Sequence, residues 1–148
     1  MIYIFDIDGT LADLSHRLHF IQKKPADWGG FFAACPGDSP ILDVIHLCQR
    51  LAFGNSDKII LVSGRSDEIE DATIEWLYRY KVPFTSLYMR HAGDYREDSI
   101  VKEELLAEVM CDWREDLPIV GVFEDRKQVV DMYRAKGLRV FQVAEGNF

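Results

Sequence analysis

Four stretches of the chain are apolar almost without interruption: Ile2–Ile7, Ile59–Ser63, Ile119–Phe123 and Val140–Val143. Each is short, rich in β-branched or aromatic residues and bounded by small or polar ones, which is the pattern of a strand. Their lack of strict alternation predicts strands covered on both faces, as in a parallel sheet. Ser86–Met89 reads as a fifth, weaker strand. Helical patterns separate them. Pro40–Leu51 sets Ile41, Val44, Ile45, Leu47, Cys48 and Leu51 on a broad apolar stripe. Ser66 can cap a helix running to about Tyr80, with acids in its first turn, and Pro83 stops its continuation. Asp98 or Ser99 can cap another to about Trp113, and Asp125 opens one that ends at Gly137.

Strand and helix in alternation predict an α/β domain with right-handed crossovers: a parallel five-stranded sheet flanked by helices. One stretch breaks the rhythm. Ala12–Ser39 holds a short helical piece near Ser15–Gln22 and the aromatics Trp28, Phe31 and Phe32. It reads as an insertion over the strand ends, at about residues 12–39 of a single domain covering residues 1–148.

Composition narrows the class. A chain of 148 residues that is 48% apolar and 28% charged is globular. At that length about two-thirds of the surface is buried on folding, so a core forms without disulfide or metal staples. No apolar run approaches the ~20 residues needed to span a bilayer. The start, MIYIFDIDGT, lacks a basic region and carries acids within its apolar stretch, unlike a signal peptide. Cys35, Cys48 and Cys111 are odd in number and form no CxxC pair, so they are expected to be reduced thiols in a cytoplasmic protein. The net charge of −8 argues against a sequence-independent duplex binder, which needs a broad basic face. It leaves room for a local cluster that grips one phosphate.

Ligands of open α/β sheets bind beyond the carboxyl ends of the strands. The polar residues that follow each predicted strand are Asp6-Ile7-Asp8-Gly9-Thr10, then Ser63-Gly64-Arg65, then Lys102 near a helix start, then Glu124-Asp125. Taken singly, each has a plain structural explanation: a solvated turn, a helix cap or a surface cation. Together, in order and all at strand ends, they suit phosphoryl transfer. One carboxylate can attack phosphorus and split the hydrolysis into two steps. A second, two residues along, can protonate the leaving oxygen and later take a proton from water. A divalent cation on oxygen ligands offsets repulsion between carboxylate and phosphate, and Mg²⁺ suits that donor set. Ser63 can donate to a phosphate oxygen, Lys102 can neutralise it, and Gly9 and Gly64 allow close backbone approach.

Asp6-x-Asp8-Gly9-Thr10, Ser63, Lys102 and Glu124-Asp125 resemble, in order, the four motifs of the haloacid dehalogenase (HAD) phosphohydrolase superfamily. The second half is more specific. Gly93-Asp94-Tyr95-Arg96, Asp98, Val101-Lys102-Glu103-Glu104, Glu124-Asp125-Arg126-x-Gln128-Val129-Val130, Gln142-Val143-Ala144 and a Gly-x-Phe ending at Phe148 resemble the phosphatase domains of bacteriophage polynucleotide kinase-phosphatases. That resemblance implies a HAD-like (Rossmannoid) fold with a small cap, and removal of 3′-phosphates from DNA or RNA ends or nucleotides with Mg²⁺. It implies Asp6 as nucleophile and Asp8 as general acid/base, with the metal on Asp6, the Asp8 carbonyl and Asp125. Ser63 and Lys102 would hold the phosphoryl group, with Thr10 and Gly64 beside it. Arg17 and Arg65 match arginines the family needs and Asp98 matches an acid near the motif lysine, so all three join the expected phosphate- and substrate-binding set; Asp98 is four residues from Lys102 and so on its helix face. Glu124 stands where relatives usually carry Asp, which leaves three readings open: metal ligand, water-mediated contact or helix cap. No GxxxxGK[ST] loop occurs, so these residues give no basis for ATP-dependent phosphorylation.

Two features of the substrate side stay open at this level. The insertion offers His16, Arg17, His19, Lys23, Lys24, Trp28, Phe31 and Phe32, which either stack a base or form the insertion's own small core. Arg90, His91 and Arg96 either steer a single strand or balance Asp94, Glu97 and Asp98. The rivals to a 3′-phosphatase are a phosphatase for free nucleoside monophosphates, a phosphoacceptor receiver domain and a binding module with an inactive site. The acid at Asp8, which receivers lack, and the intact Asp6, Ser63 and Lys102 weigh against the last two.

Overall fold

The computed structural model describes residues 1–54, 56–113 and 117–146. In chain order the strands are β1 (Ile2–Phe5), β2 (Ala12–Asp13), β3 (Ser39–Pro40), β4 (Lys58–Ser66), β5 (Ser86–Arg90), β6 (Ile119–Glu124) and β7 (Val140–Gln142). The helices are α1 (His19–Gln22), α2 (Trp28–Ala33), α3 (Leu42–Ala52), α4 (Glu70–Arg79), α5 (Asp98–Asp112) and α6 (Lys127–Ala135). Five strands form one sheet in the order β5-β4-β1-β6-β7, and every pairing in it is parallel. From β1 the chain steps outward through β4 to β5, then returns to the other side of β1 for β6 and β7. The order therefore reverses beside β1, and such reversals open a crevice at the carboxyl ends of the strands.

Period-two geometry explains why the strands read as continuous apolar runs. Ile2, Ile4, Ile60, Val62 and Val122 face one way and pack on Val101, Leu105 and Val109 of α5 and Val129 and Tyr133 of α6. Phe5, Ile59, Leu61 and Phe123 face the other way, onto Ile45 and Cys48 of α3 and Trp76 and Leu77 of α4. Register places Phe5, Phe123 and Phe141 side by side on adjacent strands, with ring centroids 4.3 and 4.9 Å apart. Such cross-strand aromatic pairs add to the stability of a sheet beyond their burial.

Element ends shift by a few residues for local reasons. The helix expected from Pro40 starts at Leu42, because Pro40 pairs with Ala12 in β3. β4 runs past the expected Ser63 to Ser66, with a pairing irregularity between these two serines. Ser66 does cap, accepting the Glu68 amide at 3.3 Å, but over a 3₁₀ turn that precedes α4. α6 begins at Lys127, two residues after Asp125. Gly137, with φ +81°, ends it in the left-handed conformation a helix terminus favours.

The stretch after β1 rises out of the sheet and returns to it. β2 and β3 pair antiparallel, joining its two ends in a short ribbon. Between them lie a 3₁₀ turn at Ser15–Arg17, α1, α2 and a second 3₁₀ turn at Cys35–Gly37. Asp27 caps α2 by accepting the Gly30 amide at 2.8 Å. Among the described residues no helix is long and apolar enough to cross a membrane. The Gly-x-Phe ending at Phe148 lies outside the described residues beyond Gly146.

Candidate active site

The polar segments predicted from the strand ends do meet, at the carboxyl ends of β1, β4 and β6. Asp6 follows β1 directly, and its amide donates to Phe123 O at 3.0 Å, which extends the pairing with β6. Lys102, in the second turn of α5, reaches Asp6 Oδ1 at 2.7 Å and Glu124 Oε2 at 2.8 Å. It lies 3.4 Å from Asp98 Oδ2, the pairing that four-residue helical spacing allows. Asp6, Lys102, Glu124 and Asp125 are all at or below 3% exposure. Burial works against the Lys102 ammonium, but Asp6, Asp98 and Glu124 outweigh it and hold the group firmly protonated. Burial, then the Glu124 charge, pushes Asp6 well above the ordinary carboxylate range. Burial and the neighbouring Asp6 push Asp125 up to about 7.

Glu124 makes two kinds of contact. Its Oε1 accepts the amides of Asp125 (3.2 Å) and Arg126 (3.1 Å) ahead of α6, while Oε2 takes Lys102. Asp125 is held differently. Its Oδ1 is buried and has no hydrogen-bond partner. Gly9, at φ +87°, comes so close that any side chain there would overlap the Asp125 carboxylate. Oxygens of Asp6, Glu124 and Asp125 lie within 4.8 Å of one another. An orphaned, buried carboxylate oxygen beside two further acids is a hard-oxygen donor set, and Mg²⁺ fits it. Asp6, Glu124 and Asp125 are the residues that would hold such an ion, with Asp6 and Glu124 also paired to Lys102.

Asp8 sits in a second, separate charge cluster. Arg17 Nη2 (2.7 Å), Arg65 Nη2 (2.7 Å) and Arg65 Nε (3.0 Å) all donate to its Oδ1. No described hydrogen bond reaches Oδ2, and Asp8 lines the cavity. Burial raises the Asp8 carboxyl, but Arg65 and Arg17 outweigh it and hold the group below the usual carboxylate range. The arginines were expected to bind phosphate. Instead both are fully buried and are shared between Asp8 and Asp38. Arg17 is bidentate to Asp38 at 2.7 Å for both bonds, and Arg65 Nη2 reaches Asp38 Oδ2 at 2.8 Å. His16 adds a 2.8 Å contact to Asp38 Oδ1 from the exposed side.

Asp38 is a site residue that no sequence motif marks. It precedes β3 in a Pro-Gly turn with no strand end to flag it, and only the β2–β3 ribbon carries it back to the first loop. Its role follows only once the two guanidiniums are seen to be buried, because they need more than one carboxylate.

The remaining site candidates divide. A cavity of about 440 Å³ is lined by Asp6, Asp8, Gly64, Asp98 and Lys102, by Trp28, Phe31 and Phe32 of the insertion, and by the loop around Tyr95. Ser63 and Thr10 are fully buried and do not line it. The Ser63 hydroxyl accepts the Arg65 amide at 3.2 Å, and the Thr10 hydroxyl has no partner. Asp98 packs against Gly64 where a Cβ would overlap it, and takes Arg90 Nη2 at 3.0 Å. The cations at the end of β5 and after it are matched internally. Arg90 also donates to the carbonyls of Gly64, Asp94 and Arg96, and Arg96 pairs with Asp94 and Glu104. Of the two readings for these residues, charge balance is the one the geometry favours.

The chain is similar to several known proteins. A protein of Autographa californica nuclear polyhedrosis virus, named as a bifunctional polynucleotide kinase/RNA ligase, is 29% identical over 130 residues, covering 87% of this chain and 17% of the relative. A chain of the Pnkp1/Rnl/Hen1 RNA repair complex superposes with a TM-score of 0.82 at 30% identity, covering 99% of this chain and 43% of that one. This chain thus spans less than half the length of either relative. The L-2-haloacid dehalogenase of Xanthobacter autotrophicus shares the fold, at 12% identity and a TM-score of 0.65. With the HAD-like architecture shared and residues 1–148 matching the family described as the polynucleotide kinase PNKP phosphatase domain, the chain belongs to that family.

Proposed function

We propose that this chain is a Mg²⁺-dependent phosphatase acting on 3′-phosphates of nucleic acid ends or nucleotides. The observation that carries the reading is the placement of Asp6. It closes the central strand, lines the cavity, touches Lys102 at 2.7 Å, and lies beside the orphaned Asp125 carboxylate. Family membership and the likeness to a chain of an RNA repair complex support a nucleic acid substrate.

In this reading an Asp6 oxygen attacks phosphorus as the bond to the leaving 3′-oxygen breaks, forming a phosphoaspartate. Asp8, which lines the cavity, supplies the proton that the leaving oxygen needs. It then takes a proton from the water that cleaves the phosphoaspartate, so the net change is ester plus water to alcohol plus phosphate. The two guanidiniums keep Asp8 ionised at rest, and the negative charge of an arriving phosphate raises it toward the protonated form. Lys102 balances the charge of the transferring group, and Asp98 holds Lys102 in place. Arg17 and Arg65 orient Asp8 rather than touch the substrate. A bound Mg²⁺ would supply charge neutralisation between Asp6 and the phosphate. Ser63 and Thr10 would offer their hydroxyls to the phosphoryl group, which requires both buried side chains to turn toward the cavity.

The test is phosphate release from a panel of 3′- and 5′-phosphorylated oligonucleotides and nucleotides, with and without Mg²⁺. Release from 3′-phosphates that needs Mg²⁺, is lost in Asp6→Asn and falls by at least ~10²-fold in Asp8→Asn is expected. Preference for free 5′-nucleotides would favour the mononucleotide reading. No release from any member with Mg²⁺ present would refute a phosphatase.

A further inference from the structure

We infer that the aromatic residues lining the cavity, Trp28 and Phe32 of the insertion and Tyr95 of the loop after β5, form a subsite for the nucleobase of the nucleotide that carries the phosphate. This rests on the phosphatase reading above and deepens it, because it makes the substrate a base-bearing one and not a bare phosphate monoester.

Four observations converge. First, the cavity is continuous with the two acids and its volume is about 440 Å³, on the scale of small-molecule sites and more than a phosphate alone requires. Second, Trp28 is 43% exposed and Tyr95 75% exposed, although both stand in the wall of a concavity. The expectation that the insertion's aromatics merely fill its own core holds for Phe31, which is buried, and not for Trp28. Third, the wall is built. Trp28 packs edge-on against Phe31 at 5.9 Å and tilts against Phe32 at 6.1 Å. Arg90 pins the loop that carries Tyr95 through the Asp94 and Arg96 carbonyls, at 3.1 and 2.8 Å. Fourth, the charges beside the wall are already matched: Arg96 to Asp94 and Glu104, and Arg90 to Asp98. A phosphodiester chain gains little there, whereas a planar, uncharged ring gains stacking area.

The Phe31 ring also lies under the Arg17 guanidinium, 4.3 Å from its centroid. The wall is thereby mechanically joined to the pair that orients Asp8. A substitution at Trp28 can therefore lower turnover on any substrate, so the informative quantity is a ratio.

The experiment compares kcat/KM, with Mg²⁺, for two 3′-phosphorylated oligonucleotides that differ only in whether the terminal residue has a base or is abasic. The wild type should favour the base-bearing one by on the order of 5- to 100-fold, mostly through KM, the scale of stacking one base. That ratio should shrink in Trp28→Ala and in Tyr95→Ala, and Trp28→Phe should keep most of it. Tyr95 is exposed, so its variant is informative even where Trp28→Ala folds poorly. Equal KM for the two substrates in the wild type, or an unchanged ratio in both alanine variants, would overturn the subsite. Absence of release from both substrates would sink the phosphatase reading, and the subsite with it.

Discussion

Two guanidiniums that are fully removed from water, Arg17 and Arg65, survive because Asp8 and Asp38 lie between them. Removing one member of a buried charge network leaves the others desolvated and uncompensated, at a cost of ~3–5 kcal/mol. Asp38→Ala is thus expected to lose stability on that scale by calorimetry or urea titration. Phosphate release should also drop at least tenfold, although Asp38 does not line the cavity. A variant with wild-type melting and turnover would remove Asp38 from this role. Asp125 poses the opposite case. Its buried Oδ1 lacks a partner and faces the charges of Asp6 and Glu124, so without metal it is a net liability. Asp125→Asn should therefore melt higher than the wild type in EDTA, by ~0.5–2 kcal/mol, the range typical when a functional strain is relieved. Saturating Mg²⁺ should reverse the ranking, since a ligand at 100 times its Kd adds ~2.7 kcal/mol to whichever protein binds it. Equal Mg²⁺-induced shifts in both proteins would argue that the ion sits elsewhere.

At the scale of elements, the end of β7 and the segment that follows it close the acid cluster. Gln142 Nε2 and the Gly146 amide each donate to Asp125 O at 3.1 Å, and the Val143 amide donates to Glu124 O at 3.0 Å. A Cβ on Gly146 would overlap Asp125 Oδ2 and crowd the Arg126 backbone, so this segment limits where that carboxylate can stand. Gly146→Ala is expected to cost ~1–3 kcal/mol, as overpacking does. It should also raise the Mg²⁺ concentration at half-maximal thermal stabilisation, and an unmoved midpoint would count against the contact. These elements also mark what the sequence made legible. The strands could be read because they are buried on both faces, and Asp6, Asp8, Lys102 and Glu124-Asp125 because each sits just beyond a strand or on a helix face. Asp38 could not, since its place depends on a two-residue ribbon whose pairing carries no pattern. The inward turn of Arg17 and Arg65 was equally hidden, because a side chain's direction follows from its partner.

Across the whole molecule, the charge cluster that orients Asp8 is also what docks the insertion onto the sheet. Arg65 comes from β4, and two residues of α4 reach over as well: Trp76 Nε1 donates to Asp38 O at 2.9 Å and Arg79 Nη1 to Pro36 O at 3.1 Å. Two cysteines report on this arrangement. Cys35 is buried in the insertion beside the cluster, and Cys48 is buried in α3 against the sheet; burial raises both thiols, Cys48 to about 12. Cys111 is exposed. A thiol reagent at mildly alkaline pH should therefore modify Cys111 quickly and the other two only as the fold opens. In Asp38→Ala the two slow reactions should separate, with Cys35 becoming reactive well before Cys48, because the insertion loses its anchor while the α3 face keeps its apolar contacts. Simultaneous exposure of both thiols would mean that the insertion has no independent opening and that the acid held by Arg17 and Arg65 is braced by the whole core.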